Sequence, residues 1–122
     1  MHKLIILIES PDDSLIFDES WPNFLHQAEK MPGLIQETNA RIEHTFFGSQ
    51  QIYMVHELFF ENQAALQAAM ASPQGQVSGH ILQRITDGKM TLLAAEHKED
   101  DIENLLKYQA IDSNADSNTD SG

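Results

Sequence analysis

Tyr53–Gly75 reads YMVHELFFENQAALQAAMASPQG, and this stretch decides the fold. Up to Phe60 the residues fall into two alternating sets, Met54, His56, Leu58, Phe60 and Tyr53, Val55, Glu57, Phe59. That is the period of a strand. Glu61-Asn62 then offers a cap for a helix through Ala71, with Leu66, Ala69 and Met70 turned inward. Ser72 is a second N-cap candidate, and Pro73 occupies the first position of the following helix, where its missing N–H costs nothing.

Working upstream, Gly48-Ser49-Gln50-Gln51 predicts a hairpin loop joining this strand to a preceding one over Leu34–Phe47. One face of that strand carries Gln36, Thr38, Ala40, Ile42 and His44, and the other carries Glu37, Asn39, Arg41 and Glu43. Pro32-Gly33 ends a helix whose apolar face is Phe17, Trp21, Phe24, Leu25, Ala28 and Met31. Pro22 belongs in a first helical turn, so Asp18 or Ser20 is the expected cap. Lys3–Glu9 is an almost continuous apolar run and reads as a buried strand. Downstream, Val77, Ile81 and Ile85 give the last helix a buried stripe, Asp87-Gly88 turns, and Lys89–His97 is a fourth strand.

The order β-α-β-β-α-α-β is a ferredoxin-like α+β arrangement with an antiparallel sheet. Its helices cover one sheet face only. The other face is too apolar to meet water, and a second copy of the sheet is the economical cover. Two such sheets face to face make an eight-stranded α+β barrel, which can be filled or can hold one small ligand. A homodimer is therefore expected.

A length of 122 residues with 41% hydrophobic residues suits one small domain. Residues 1–97 are assigned to it. Residues 98–122 form an acidic tail, expected as a short helix over Asp100–Tyr108 and then disorder from Ile111. The net charge of −12 disfavours contact with phosphate backbones, so no nucleic-acid partner is expected. Leu4–Ile8 is too short for the hydrophobic region of a signal peptide, and no run approaches a membrane span. There is no cysteine, which excludes disulfides and thiolate chemistry and fits a cytoplasmic location.

The chain resembles the EthD family of the dimeric α+β barrel superfamily. The resemblance rests on Lys3-Leu4-Ile5-Ile6-Leu7, Met31-Pro32-Gly33-Leu34, Glu57-Leu58-Phe59-Phe60 and, most specifically, Ala65–Gln76. Asp87-Gly88 and Leu92–Glu96 extend it. It implies a dimeric barrel, and an oxidoreductase label that members carry by similarity. Many members have a Trp in the first helix and a His four positions later. Here Trp21 is followed by Leu25, with His26 one position further on, so no catalytic His is carried over.

Several side chains invite chemistry. Arg41, Glu43, Tyr53 and Glu57 are expected on one face of the hairpin. There Arg41 would orient a carboxylate or carbonyl, Tyr53 would donate a hydrogen bond, and Glu57 would act as base with its pKa raised by apolar walls. The plainer alternative is a cross-strand ion pair between Arg41 and Glu57 or Glu43. His44 and His56 are expected as neighbours on the other face and, with Trp21 and Glu96, complete the candidate ligand-binding set. Trp21 equally reads as helix-to-sheet core. No metal site is expected, since the histidines show no ligand spacing. No cofactor is expected either, since neither a phosphate-binding glycine loop nor a nucleophile motif occurs. The function expected is the binding of a small apolar molecule in the barrel, with cofactor-independent oxidoreductase or isomerase chemistry as its catalytic form. A structural or regulatory homodimer with a filled barrel is the alternative.

Overall fold

The computed structural model describes residues 1–100. The helix expected to run on to Tyr108, and the disorder expected from Ile111, lie outside the described residues. The elements are β1 (His2–Glu9), α1 (Ser14–Ala28), β2 (Gln36–Arg41), β3 (Ile52–Phe60), α2 (Gln63–Ala71), α3 (Pro73–Thr86) and β4 (Met90–Glu96). The strands form one antiparallel sheet in the order β2-β3-β1-β4. Among the described residues no helix is long and apolar enough to cross a membrane.

The helices lie on one face of this sheet. Leu4, Ile6 and Ile8 of β1 and Met54, Leu58 and Phe60 of β3 are buried there against Phe17, Trp21, Phe24 and Ala28 of α1, Leu66 and Ala69 of α2, and Leu82 of α3. Each fully buried Phe or Leu of this set stabilises the fold by roughly 1.5–3 kcal/mol relative to exposure. The buried stripe of α3 is Ser78, Leu82 and Thr86, with Ile81 and Ile85 half-buried and Val77 exposed. The expected stripe is thus rotated by one residue. Ser78 and Thr86 tolerate burial because their hydroxyls donate to the carbonyls of Gly75 and Leu82.

Asn62 and Ser72 cap α2 and α3, accepting from the backbone N–H groups of Ala65 and Gly75. Ser72 also donates to the Ala69 carbonyl at 2.6 Å, which ties the end of α2 to the start of α3. Only glycine fits at position 75, because a Cβ there would run into the carbonyl oxygens of Ala69 and Met70. The Ser-Pro-Gln-Gly sequence is therefore the joint that lets two helices meet with almost no linker.

Two expected boundaries are corrected. Helix α1 starts at Ser14, not near Asp18 or Ser20, because the Asp13 carboxylate accepts from the N–H groups of Leu15 and Ile16. Pro22 consequently sits inside the helix, where it removes the donor that would have met the Asp18 carbonyl. Strand β2 covers only Gln36–Arg41, with one further ladder bond at each end, from Ile35 N–H to the Phe59 carbonyl and from Ile42 N–H to the Tyr53 carbonyl. The alternating pattern of 43–47 finds no partner, because β3 begins at Ile52 and the chain between is exposed.

The sheet face away from the helices carries Lys3, Ile5 and Leu7 of β1. It continues through their partners Phe59, Glu57 and Val55 of β3 and Ala95, Leu93 and Thr91 of β4, with Thr38 and Ala40 at the β2 edge. No helix or strand of the described chain covers this open face; at one end His97 lies edge-on to Phe59 at 4.8 Å and buries it.

Candidate functional site

The hairpin register decides which candidate residues meet. Asn39 lies opposite His56 and Arg41 opposite Met54, so the odd-numbered residues of β2 share a face with the even-numbered residues of β3. Arg41 is therefore on the helix side, whereas Glu57, opposite Ile5 and Thr38, is on the open side. The expected single face of Arg41, Glu43, Tyr53 and Glu57 does not exist. Glu43 lies beyond the strand in the exposed connection.

Tyr53 needs a second explanation, since by parity it belongs with Glu57. A bulge intervenes: Ile8 pairs with Met54 but Glu9 pairs with Ile52, leaving Tyr53 as the extra residue. The ring turns under α1, edge-on to Phe17 at 5.5 Å. There it joins Arg41 after all. The guanidinium stacks 4.8 Å over the Tyr53 ring, donates to its hydroxyl, and donates to the Asp18 carboxylate at 2.9 Å, while Tyr53 donates to the same carboxylate at 3.0 Å. Arg41 thus has an ion-pair partner, but it is Asp18 from α1 and neither Glu57 nor Glu43.

Glu57 is occupied differently. Its carboxylate takes Lys3 Nζ at 2.6 Å and the Thr38 hydroxyl at 3.2 Å. The Lys3 contact holds its pKa below the usual glutamate range, outweighing the opposing effect of partial burial. The raised pKa expected of a general base is overturned, because the sequence pattern did not show that Lys3 of β1 lies beside it.

His56 is buried, and its partners lie on the same side of β2. Asn39 Nδ2 is 3.0 Å from its Nδ1, and Glu37 Oε2 is 3.2 Å from its Nε2. Burial pushes its pKa down to about 4, so the ring is neutral near pH 7. A neutral imidazole has one N–H; the Asn39 amide donates to Nδ1, so Nε2 carries the proton towards Glu37. The Glu37 contact is accordingly a hydrogen bond to a neutral ring, not an ion pair. Glu29 at the end of α1 has its pKa raised, chiefly by its hydrogen bond with Glu37 and by that group's charge. Trp21 stands edge-on to His56 at 5.2 Å and packs against Phe17 and Phe24.

The fold thus brings His56 and Trp21 together and leaves the other two ligand candidates apart. His44 is exposed in the 42–51 connection, 4.9 Å from the Phe46 ring and without His56 as a neighbour. Glu96 is at the far end of β4, pairing with Lys98 at 3.3 Å. Among the described residues no three His, Asp or Glu side chains converge as a metal site. Sequence reasoning missed Lys3, Asp18, Glu37 and Asn39. A hairpin register set by the length of the connection would have found Asn39 and Glu37; nothing local marks Lys3 or Asp18.

Two concavities among the described residues are large enough for a ligand, both at the 42–51 connection; the smaller, about 380 Å³, lies between that connection, Ser10 and Tyr53. The larger is an open groove of about 850 Å³ that runs between the 42–51 connection and the open sheet face, lined by Leu7, Ile42, Ile52, Val55, Phe46 and Phe47 among others. On the helix side a void of about 30 Å³ lies between Leu4, Phe24, Leu58 and Leu82.

No protein-family model matches the chain, and no curated protein does. Solved structures do. An ethyl tert-butyl ether D (EthD) family protein from Bacillus halodurans is 31% identical, with a TM-score of 0.75 over 80% of this chain and 99% of that one. A dimeric ferredoxin-like protein of unknown function from Jannaschia sp. is 16% identical, with a TM-score of 0.59 over 80% of this chain and 100% of the other. SnoaB, a cofactor-independent oxygenase from Streptomyces nogalater, is 11% identical, with a TM-score of 0.63 over 81% and 94%. The last two share the fold alone.

Proposed function

The chain belongs to the EthD family, and from that premise we propose that it is a homodimer holding a small apolar molecule over the open face of its sheet. The observation that carries this is the groove of about 850 Å³ on that face, where Leu7, Ile42, Phe46, Phe47, Ile52 and Val55 outnumber the polar His44, Thr45, Ser49 and Gln50. Its size is that of small-molecule sites, roughly 300–1,000 Å³. The uncovered residues Ile5, Leu7, Val55 and Leu93 support a second sheet as the cover. The dimeric description of the Jannaschia protein, which shares this fold, supports it too.

The polar side chains lining the groove itself are His44, Thr45, Ser49 and Gln50, and the Lys3, Glu57 and Thr38 cluster lies outside that lining on the same sheet face. Glu57 lies two residues beyond Val55 on the same face, about 7 Å along the strand. His44 and its polar neighbours in the connection would orient a molecule that carries a single polar group. Binding is proposed without a reaction, because Glu57 already holds Lys3 and both ring nitrogens of His56 are taken. A cytoplasmic setting fits the absence of cysteine.

The test is saturable binding of anilinonaphthalene sulfonate by the purified protein. One site per protomer is expected, lost in Val55→Trp while the mass in solution stays that of a dimer. A dimer that binds no dye supports the filled barrel and overturns the proposal.

A further inference from the structure

Phe46 and Phe47 are the two most exposed large apolar side chains of the described residues, at 94% and 99%. Each is a ring of some 150–250 Å² left in water at the tip of a ten-residue connection. Their position is informative. They form the outer wall of a groove whose inner wall, Leu7 and Val55, is the open sheet face, so the arm prolongs that face beyond the end of the β2–β3 hairpin. At the opposite edge of the sheet, β4 leaves Leu93 exposed at 44% on the open face, opposite Ile5, while its neighbour Leu92 turns to the helix side. The two edges therefore each carry an unpartnered apolar patch.

We propose that this arm is a dimer clasp: Phe46 and Phe47 dock on the β4 edge of a second copy, around Leu93, and close the groove from the partner's side. The proposal rests on the face-to-face dimer above. A two-fold axis running along the strands lays each β2 edge over the other copy's β4 edge at the same end of the sheet. One contact of arm to β4 is thus made twice.

The area needed points the same way. A flat face of four strands about 4.8 Å apart and about seven residues long covers roughly 440 Å² per copy. A pair then buries about 900 Å², short of the roughly 1,200–2,000 Å² of a stable interface. The four phenylalanines of a pair add about 600–1,000 Å² and close that gap. An anionic bilayer is the poorer occupant, since the chain carries a net charge of −12.

The absence of cysteine and the exposure of position 47 make photo-crosslinking clean. With p-benzoylphenylalanine in place of Phe47, irradiation should yield a covalent dimer whose cross-linked peptide contains residues 90–96. Phe46→Ser combined with Phe47→Ser should weaken the dimer by roughly a hundredfold in dissociation constant, leaving the far-ultraviolet dichroism unchanged. Cross-links confined to the same chain in a protein that sediments as a dimer overturn the clasp and leave the dimer standing. A wild-type monomer overturns both. Sedimentation with neutral phosphatidylcholine vesicles, lost in the double variant while the dimer constant is unchanged, assigns the arm to a membrane and overturns the clasp.

Discussion

Replacing Gly75 with alanine sets two effects against each other. In an ordinary helix interior the change would stabilise by about 1 kcal/mol, because alanine loses less backbone entropy on folding. At position 75 the added Cβ falls well inside contact distance of the Ala69 carbonyl oxygen and 2.7 Å from that of Met70. Both obstacles are backbone, held in place by the Ser72 hydroxyl and the α2 ladder, so neither can swing aside. Relief requires α2 and α3 to part or the Ser72 cap to break. Overpacking of this kind costs about 1–3 kcal/mol, and a lost cap about 1 kcal/mol more. The net expectation is a loss of about 1–3 kcal/mol. Gly79, four residues on in the same helix, has no atom within 4 Å of its would-be Cβ. Gly79→Ala should therefore gain about 0.5–1 kcal/mol. Urea unfolding at one fixed protein concentration reads both, and the two midpoints should lie about 1 M or more apart on opposite sides of wild type. A Gly75→Ala protein as stable as wild type would refute the close-approach account of the joint.

Other consequences follow from single side chains. His56 has a folded pKa near 4 against an ordinary 6.5, so the unfolded chain takes up a proton that the folded one refuses between those values. The stability it contributes is complete above pH 6.5 and falls by about 3 kcal/mol on acidification to pH 4; a His56→Gln variant measured by urea unfolding should lack that slope. An NMR titration placing the His56 ring pKa at 6.5 would contradict it. Glu57→Gln leaves the Lys3 ammonium without its carboxylate and should cost about 1–3 kcal/mol, while Lys3→Met with Glu57→Gln should recover part of that, a coupling read from a double-mutant cycle. Asp13→Ala removes the α1 cap and should cost about 1 kcal/mol in the same unfolding assay.

What could be read in the sequence was what depends on neighbours along the chain. Ser72, Pro73 and Asn62 announce their helices because capping is a matter of three or four residues. The apolar runs of β1 and β3 announce strands because alternate residues are buried against the helices while the residues between them are also mostly apolar. The hairpin was harder. The pattern of 34–47 continues past Arg41, but a strand needs a partner, and none is present beyond Tyr53. One bulge at Tyr53 and one register offset between β2 and β3 were enough to redistribute the candidate site. They separated Glu57 from Arg41, gave His56 the company of Asn39 and Glu37, and handed the acidic partner of Arg41 to α1. Parity along one strand says which residues share a face; it does not say which face of the neighbour they meet. Lys3 beside Glu57 depends on a pairing between residues more than fifty positions apart, and no local signal carries it.

The uncovered sheet face and the groove on it are the centre of the functional account. Native mass spectrometry of the protein purified from its own cell tests them together. A ligand-holding dimer should appear as a species of twice the 13.7 kDa chain mass that carries the added mass of a small molecule, released on collisional heating. Protein that flies bare, whether as monomer or dimer, would contradict it.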